Sequence, residues 1–327
     1  MTAVAETLPD AALDVRELSV SYGGIKAVDG VSFSAAPGSM IGLIGPNGAG
    51  KTTIFDAICG FAPIERGRIL LAGVEITNRP PTEKARMGLG RSFQDARLFS
   101  SLTVRETLSC ALERHMGMQD PLSTALSLPW IRRAERKTAT RVEELIELMG
   151  LSAFRDKFIS ELSTGSRRVV DLACTLAHEP TVLLLDEPSS GMAQKETEAM
   201  GPLLLQVKES TGCTMLLIEH DMPLITSVSD ELIALETGQV IARGAPSKVT
   251  NDPKVVEAYL GTDQRIIARS GTASDAKRTP PAGKQATPRK KPTARSKSST
   301  AAVSKEKAVS KKKTSTRKSS PRRKPSR

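Results

Sequence analysis

An α/β fold built around a parallel sheet is what this sequence predicts, and three stretches carry the prediction. The first is Met40-Ile41-Gly42-Leu43-Ile44, an apolar run followed by a glycine-rich loop and then by Thr53 to Cys59 with apolar residues at helical spacing. The second is Val182-Leu183-Leu184-Leu185, which ends in Asp186-Glu187-Pro188. The third is Thr214-Met215-Leu216-Leu217-Ile218, which ends in Glu219-His220-Asp221. Runs this uniformly apolar fit central strands covered on both faces. Polar residues at their ends fall where open α/β sheets gather ligands.

The loop after the first strand is Gly45-Pro46-Asn47-Gly48-Ala49-Gly50-Lys51-Thr52, with Thr53 behind it. It fits G-x-x-x-x-G-K-[ST], and strand, loop and helix stand in the order that chemistry requires. Glycines let backbone N–H groups converge on phosphate oxygens, and the helix N-terminus adds partial positive charge. Lys51 reaches toward β- and γ-phosphates in this reading, and the Thr52 hydroxyl ligates Mg²⁺. The bland alternative is a glycine-rich turn that binds nothing. All fixed positions and both flanks favour a nucleoside triphosphate.

Composition divides the chain. Residues 1–261 carry 26 Lys and Arg against 33 Asp and Glu, a net of −7, whereas residues 262–327 carry 21 against 3, a net of +18. An acidic globular body, long enough for a large core, is expected to precede a basic tail. Cys59, Cys110, Cys174 and Cys213 lie far apart without a C-x-x-C, and three sit in apolar stretches, so reduced, buried thiols are expected. Residues 1–13 contain acids and no long apolar run, so no signal peptide is expected. No stretch approaches the roughly 18 apolar residues of a membrane span.

Taken in order, Leu13 to Tyr22 and Val28 to Ala35 read as strands around Gly23-Gly24. Tyr22 is a candidate for stacking on a base; the plainer reading is half-buried packing at a strand end. Gly67 to Gly73 reads as a strand, Pro80-Pro81 opens a short helix toward Met87, and Gly90 to Phe93 leads to Gln94. From Thr103 to about Gly150 two helical stripes appear, Val104/Leu108/Ala111/Leu112 and Val142/Leu145/Ile146/Met149, broken near Pro121 to Pro129. They suggest a helical subdomain over about residues 95–175.

Adjacent strand residues point to opposite sides, so Asp186 and Glu187 are free to take different roles. Asp186 is read as a Mg²⁺ ligand, directly or through water, and Glu187 as the base that orients and deprotonates the attacking water. An acidic strand end is otherwise a helix cap. His220 reads either as a satisfied structural histidine or as a sensor of the γ-phosphate.

Glu161-Leu162-Ser163-Thr164-Gly165-Ser166-Arg167-Arg168 comes shortly before the Asp186 strand. With it the set resembles the nucleotide-binding subunit of ABC transporters, whose signature is Leu-Ser-Gly-Gly-Gln. The resemblance covers about residues 13–261 and rests on Tyr22, the phosphate loop, Gln94, the signature, Asp186-Glu187 and His220 in the family's order. It implies a P-loop NTPase with a RecA-like parallel core, an N-terminal antiparallel β subdomain and an inserted α-helical subdomain. Arg91 to Phe99, Asp186 to Met192, and the ending Asn251-Asp252-Pro253 … Ala258-Tyr259-Leu260-Gly261 look like the branched-chain amino-acid importer branch.

That branch implies an ATPase on the cytoplasmic face of the plasma (inner) membrane, docked on two permease subunits and served by a separate solute-binding protein. Its solute would be a branched-chain amino acid or a related small amide. Gln94 would touch Mg²⁺ and link the site to the permease. Ser163 and Gly165 would contact ATP held by a partner's phosphate loop. Thr164 and Ser166 depart from the signature, and Ala193 stands where an aspartate is common. A heterodimer with a second ATPase subunit is therefore expected, a homodimer being the alternative.

Residues 262–327 are rich in Lys, Arg, Ser, Thr and Pro and are expected to be disordered. Their basic runs fit an anionic membrane surface or a solvated tail; with no interleaved aromatic, specific nucleic-acid binding is not expected. Two rival readings stand beside the importer: a soluble ABC ATPase acting on ribosomes or nucleic acid, and a small-molecule phosphoryl transferase. Neither explains both the single cassette and the signature stretch.

Overall fold

The computed structural model describes residues 11–93, 98–113 and 129–259. Their architecture is the predicted one: an antiparallel sheet beside a larger, mostly parallel sheet with helices. Expectations placed on residues 1–10, on Gln94, on 114–128 and on the tail lie outside the described residues.

The antiparallel sheet runs β2-β1-β4-β5, from β1 (Leu13–Tyr22), β2 (Ile25–Ala35), β4 (Arg66–Leu71) and β5 (Val74–Glu75). β1 and β2 form a hairpin whose turn is Gly23-Gly24, both at positive φ (55° and 86°). Two successive left-handed residues match the twist of the flanking strands, which explains the glycine pair. β2 begins three residues before the expected Val28, because Tyr22 pairs with Ile25.

The second sheet runs β10-β9-β3-β8-β7-β6, from β3 (Met40–Ile44), β6 (Leu89–Ser92), β7 (Val182–Asp186), β8 (Thr214–Ile218), β9 (Glu231–Glu236) and β10 (Gln239–Gly244). Pairings among β9, β3, β8, β7 and β6 are parallel, and β10 closes the edge antiparallel. All five residues of β3, β7 and β8 are buried. Alternation sends them to two cores. Ile41, Leu43, Leu184, Leu216 and Ile218 join the antiparallel sheet and α1 (Lys51–Cys59). Met40, Ile44, Leu183, Leu185, Met215 and Leu217 join the helical side. Gly42 sits where a Cβ would come within 2.4–2.8 Å of Leu232, Ser229 and Ile225, so no larger residue fits.

The helical side contains α3 (Val104–Leu112), α4 (Pro129–Leu148), α5 (Thr164–Leu176), α6 (Gln194–Thr211) and α7 (Met222–Val228); α2 (Pro81–Arg86) and α8 (Pro246–Thr250) are short, and residues 253–259 are helical. Thr103 caps α3 in a reciprocal box with Glu106. The buried stripes are Val104/Leu108/Leu112 and Val142/Leu145/Ile146/Met149, while Ala111 is half-buried. α6, β9 and β10 have no counterpart in the sequence reading.

Lys84 is fully buried, yet its ammonium donates to the carbonyls of Ile58 (2.9 Å), Ala57 and Thr77. Two of these are C-terminal carbonyls of α1, where a cation complements the helix dipole. All four cysteines are free thiols: Cys59 and Cys213 are buried, Cys174 is partly buried, and Cys110 is exposed. Burial pushes Cys59 up to about 11 and Cys174 and Cys213 to about 12, so these three are thiols at neutral pH. No helix among the described residues is long and apolar enough to cross a membrane.

Candidate nucleotide site

The carboxyl ends of β3, β7 and β8 converge because the three strands are neighbours in parallel register. β3 leads into the glycine loop, β7 delivers Asp186 and Glu187, and β8 delivers Glu219 and His220. The convergence follows from topology alone.

α1 starts at Lys51 behind Gly50, which has φ 97° and offers no side-chain cap. The N-terminal amides of α1 therefore lack a side-chain acceptor from the cap residue, the arrangement that favours an anion. A Cβ on Gly50 would lie 2.4 Å from the Ala27 carbonyl, so the loop is pressed against β2. The loop's far side is tied to the β9–β10 turn, where Gly238 donates to the Ala49 carbonyl. Lys51 is buried, and its ammonium donates to the carbonyls of Gly45 (2.7 Å) and Pro46 (3.1 Å). Burial lowers its pKa, opposed by Glu187 and Asp186. Thr52 is exposed at the same helix start.

Asp186 is buried, and one of its carboxylate oxygens accepts from Arg91 at 3.1 Å. Its other oxygen, Oδ1, is buried and has no hydrogen-bond partner. An orphaned carboxylate oxygen beside a phosphate loop fits a hydrated divalent cation. Burial pushes Asp186 up, and the Arg91 guanidinium opposes the shift. No trio of His, Cys, Asp or Glu suited to an all-protein metal site occurs among the described residues. A cation here would be shared with phosphates, as Mg²⁺ usually is.

Glu187 has φ 49°, a left-handed backbone unusual for a non-glycine residue, held by its N–H to the Ile218 carbonyl (2.9 Å). The turn points its carboxylate at His220, whose Nε2 lies 3.0 Å from Glu187 Oε1. Glu219, buried beside them, accepts from the backbone N–H groups of Ser189 (2.8 Å) and His220 (3.1 Å). This residue, which the sequence reading left without a role, fixes the backbones that follow both strands.

Arg91 was also missed. It lies near the end of β6 and bonds Asp56 of α1 (2.6 Å) as well as Asp186, tying the phosphate-loop helix to the acidic strand. Its guanidinium packs over Phe55, Phe61 and Phe93 at 5.1–6.0 Å from the ring centroids.

Ser163 and Gly165 lie elsewhere, at the start of α5. Ser163 caps that helix, and its hydroxyl donates to Glu196 of α6 at 2.6 Å. A Cβ on Gly165 would lie 2.5–2.8 Å from the Glu196 carboxyl group. Gly165, which is retained, is buried beside that carboxylate, whereas Thr164 is exposed. Arg168 of the same helix donates to the Phe93 carbonyl (2.9 Å), next to Gln94, itself outside the described residues. Tyr22 is 48% exposed at the end of the β1–β2 hairpin, open to a stacking partner.

Residues 28–190 match the family model described as ABC transporter, and residues 239–264 match the model described as branched-chain amino acid ATP-binding cassette transporter. The chain is 36% identical over 249 residues to the high-affinity branched-chain amino acid transport ATP-binding protein BraF of Pseudomonas aeruginosa, covering 76% of this chain and 97% of that protein. It is 37% identical over 250 residues to LivG of Escherichia coli, the protein of the same description, with the same coverage. Among solved structures it resembles a nucleotide-free ATP-binding cassette from an ABC transporter (TM-score 0.65, 30% identity, 76% of this chain and 98% of that one). The ADP conformation of an ATP-binding cassette of an ABC transporter also matches (TM-score 0.65, 32% identity, 77% of this chain and 99% of that one).

Proposed function

Because this chain belongs to the ATP-binding subunits of ABC transporters, in the branched-chain amino-acid branch, we propose that it hydrolyses ATP to power uptake of a branched-chain amino acid or a related small amide. The observation that supports this most is the convergence of Lys51, Asp186, Glu187 and His220 at neighbouring strand ends. In this reading Tyr22 stacks on the base. Residues Gly45 to Thr53 cradle the phosphates with their amides and Lys51. Thr52, Asp186 and Gln94 would hold Mg²⁺, which would supply positive charge against that of the phosphates. Glu187 takes a proton from the attacking water, and His220, hydrogen-bonded to Glu187, steadies the γ-phosphate side. Glu187→Gln should cut ATP turnover by about 100-fold or more while nucleotide affinity changes only a few-fold. Turnover within tenfold of the unaltered protein would remove Glu187 as the base.

The expected partners are two permeases and a solute-binding protein, placing the subunit at the cytoplasmic face of the membrane. Phe61 and Phe93 stand half-exposed with centroids 6.1 Å apart, and Phe99 is 68% exposed. Phe93 precedes Gln94 in the sequence, and these exposed rings suit an apolar segment of a permease. Two ATPase subunits would then close on two ATP molecules, Ser163 and Gly165 of each meeting the γ-phosphate held by the other. Thr164 and Ser166 favour a second, different ATPase as that partner. Pull-down of the full chain from detergent-solubilised membranes should recover two multi-span proteins and a second cassette. Full cooperative turnover by the isolated subunit would leave the heterodimer without support.

For the domains we propose an ATPase body over residues 13–261 after a short extension (1–12), and a basic tail over 262–327. The tail's net charge of +18 suits the anionic leaflet. Deleting residues 265–327 should abolish salt-sensitive binding to anionic liposomes and spare ATP turnover. Unchanged liposome binding would contradict this role.

A further inference from the structure

The N–H of Gly45 marks where β3 ends and the phosphate loop begins. Inside the sheet β3 is served on both sides, by β8 as far as Leu43 and by β9 as far as Ile44. One residue further the ladder supplies no acceptor. The acceptor is instead the hydroxyl of Tyr259, 2.7 Å away and 214 residues along the chain. Gly45 also has no room to move. Its φ is 148°, and a Cβ there would lie 2.2 Å from the Leu235 carbonyl oxygen and 3.2 Å from the Ala49 Cβ. Its own carbonyl receives the Lys51 ammonium at 2.7 Å. One residue is therefore held at its N–H by Tyr259 and at its C=O by the lysine assigned to the phosphates.

Tyr259 sits at the end of the helical residues 253–259, within the segment that matches the C-terminal family model. Val255 and Ala258 of that helix are buried, and the half-buried ring of Tyr259 packs against the helical-side core. The helix thus has its own anchorage, and the hydroxyl reaches from it to the loop. Burial pushes the phenol pKa up, so the group stays neutral over the working pH range.

We infer that Tyr259 is a positioning residue for the ATP site: its hydroxyl, alone among the groups of its helix, fixes the peptide that orients Lys51. The inference rests on the ATP-binding reading above. Its test uses the full chain and equilibrium titration with a fluorescent ATP analogue plus Mg²⁺. Tyr259→Phe removes one oxygen and keeps the ring; loss of one hydrogen bond should weaken binding about fivefold. Turnover at saturating ATP should change less than the KM for ATP. Val255→Ala, in the same helix, loosens packing but keeps the hydroxyl. It should lower the thermal midpoint while leaving ATP-analogue affinity within twofold. Y259F binding within twofold of the unaltered protein would overturn the inference. Equal weakening by Y259F and V255A would also overturn it, because the helix would then act only through stability. Absence of binding by the unaltered protein would instead sink the ATP-binding reading itself.

Discussion

A buried guanidinium sets the geometry on which the site depends. Arg91 joins Asp56, on the helix that opens with Lys51, to Asp186, at the end of the acidic strand. Its side chain is 7% exposed and that of Asp186 is 4% exposed, so both charges are largely out of water. Such a pair gains little over a well-packed apolar substitute, but removing one partner strands the other, at about 3–5 kcal/mol. Its main effect is to fix distances. With one Asp186 oxygen engaged by Arg91, the other is left buried without a hydrogen-bond partner. The three phenylalanines around the guanidinium shield it from water on the side that leads toward the exposed rings.

The rest of the fold makes this arrangement possible. Strands buried on both faces send alternate residues into two separate cores, so the sheet is held from both sides and its ends cannot drift. Polar chemistry is confined to the ends, where side chains leave the cores. Close backbone approaches finish the loop: Gly50 against the Ala27 carbonyl and Gly45 against the Leu235 carbonyl. Each leaves no space for a Cβ. The backbone itself is the recognition surface, and side chains are excluded from it.

Much of this was legible in the sequence because it is local. The strand–loop–helix from Met40 to Cys59 and the acidic ends of β7 and β8 declare themselves by runs of apolar residues and fixed spacings. What escaped is non-local or locally contradictory. α6 carries Gly201-Pro202 at its centre, which reads as a break, yet Met200, Leu204 and Val207 on its buried face hold it. Arg91 entered the reading only as the start of a family-like stretch, with no structural role, since its partner Asp186 lies 95 residues away. Tyr259 was read as part of a family ending, because no periodicity links it to Gly45. Among the signature positions, the sequence raised both Thr164 and Ser166 as departures. In the structure Thr164 is exposed, and Gly165 is buried beside Glu196.

The measurement that tests the account most directly is the Mg²⁺ dependence of ATP turnover in Arg91→Gln, read alongside its urea unfolding midpoint. If Arg91 sets the position of Asp186, the half-saturating Mg²⁺ concentration should rise several-fold, and unfolding free energy should fall by about 3 kcal/mol. An R91Q protein with unchanged Mg²⁺ dependence and an unchanged midpoint would show that the acidic strand holds its place without the guanidinium, and would contradict the account.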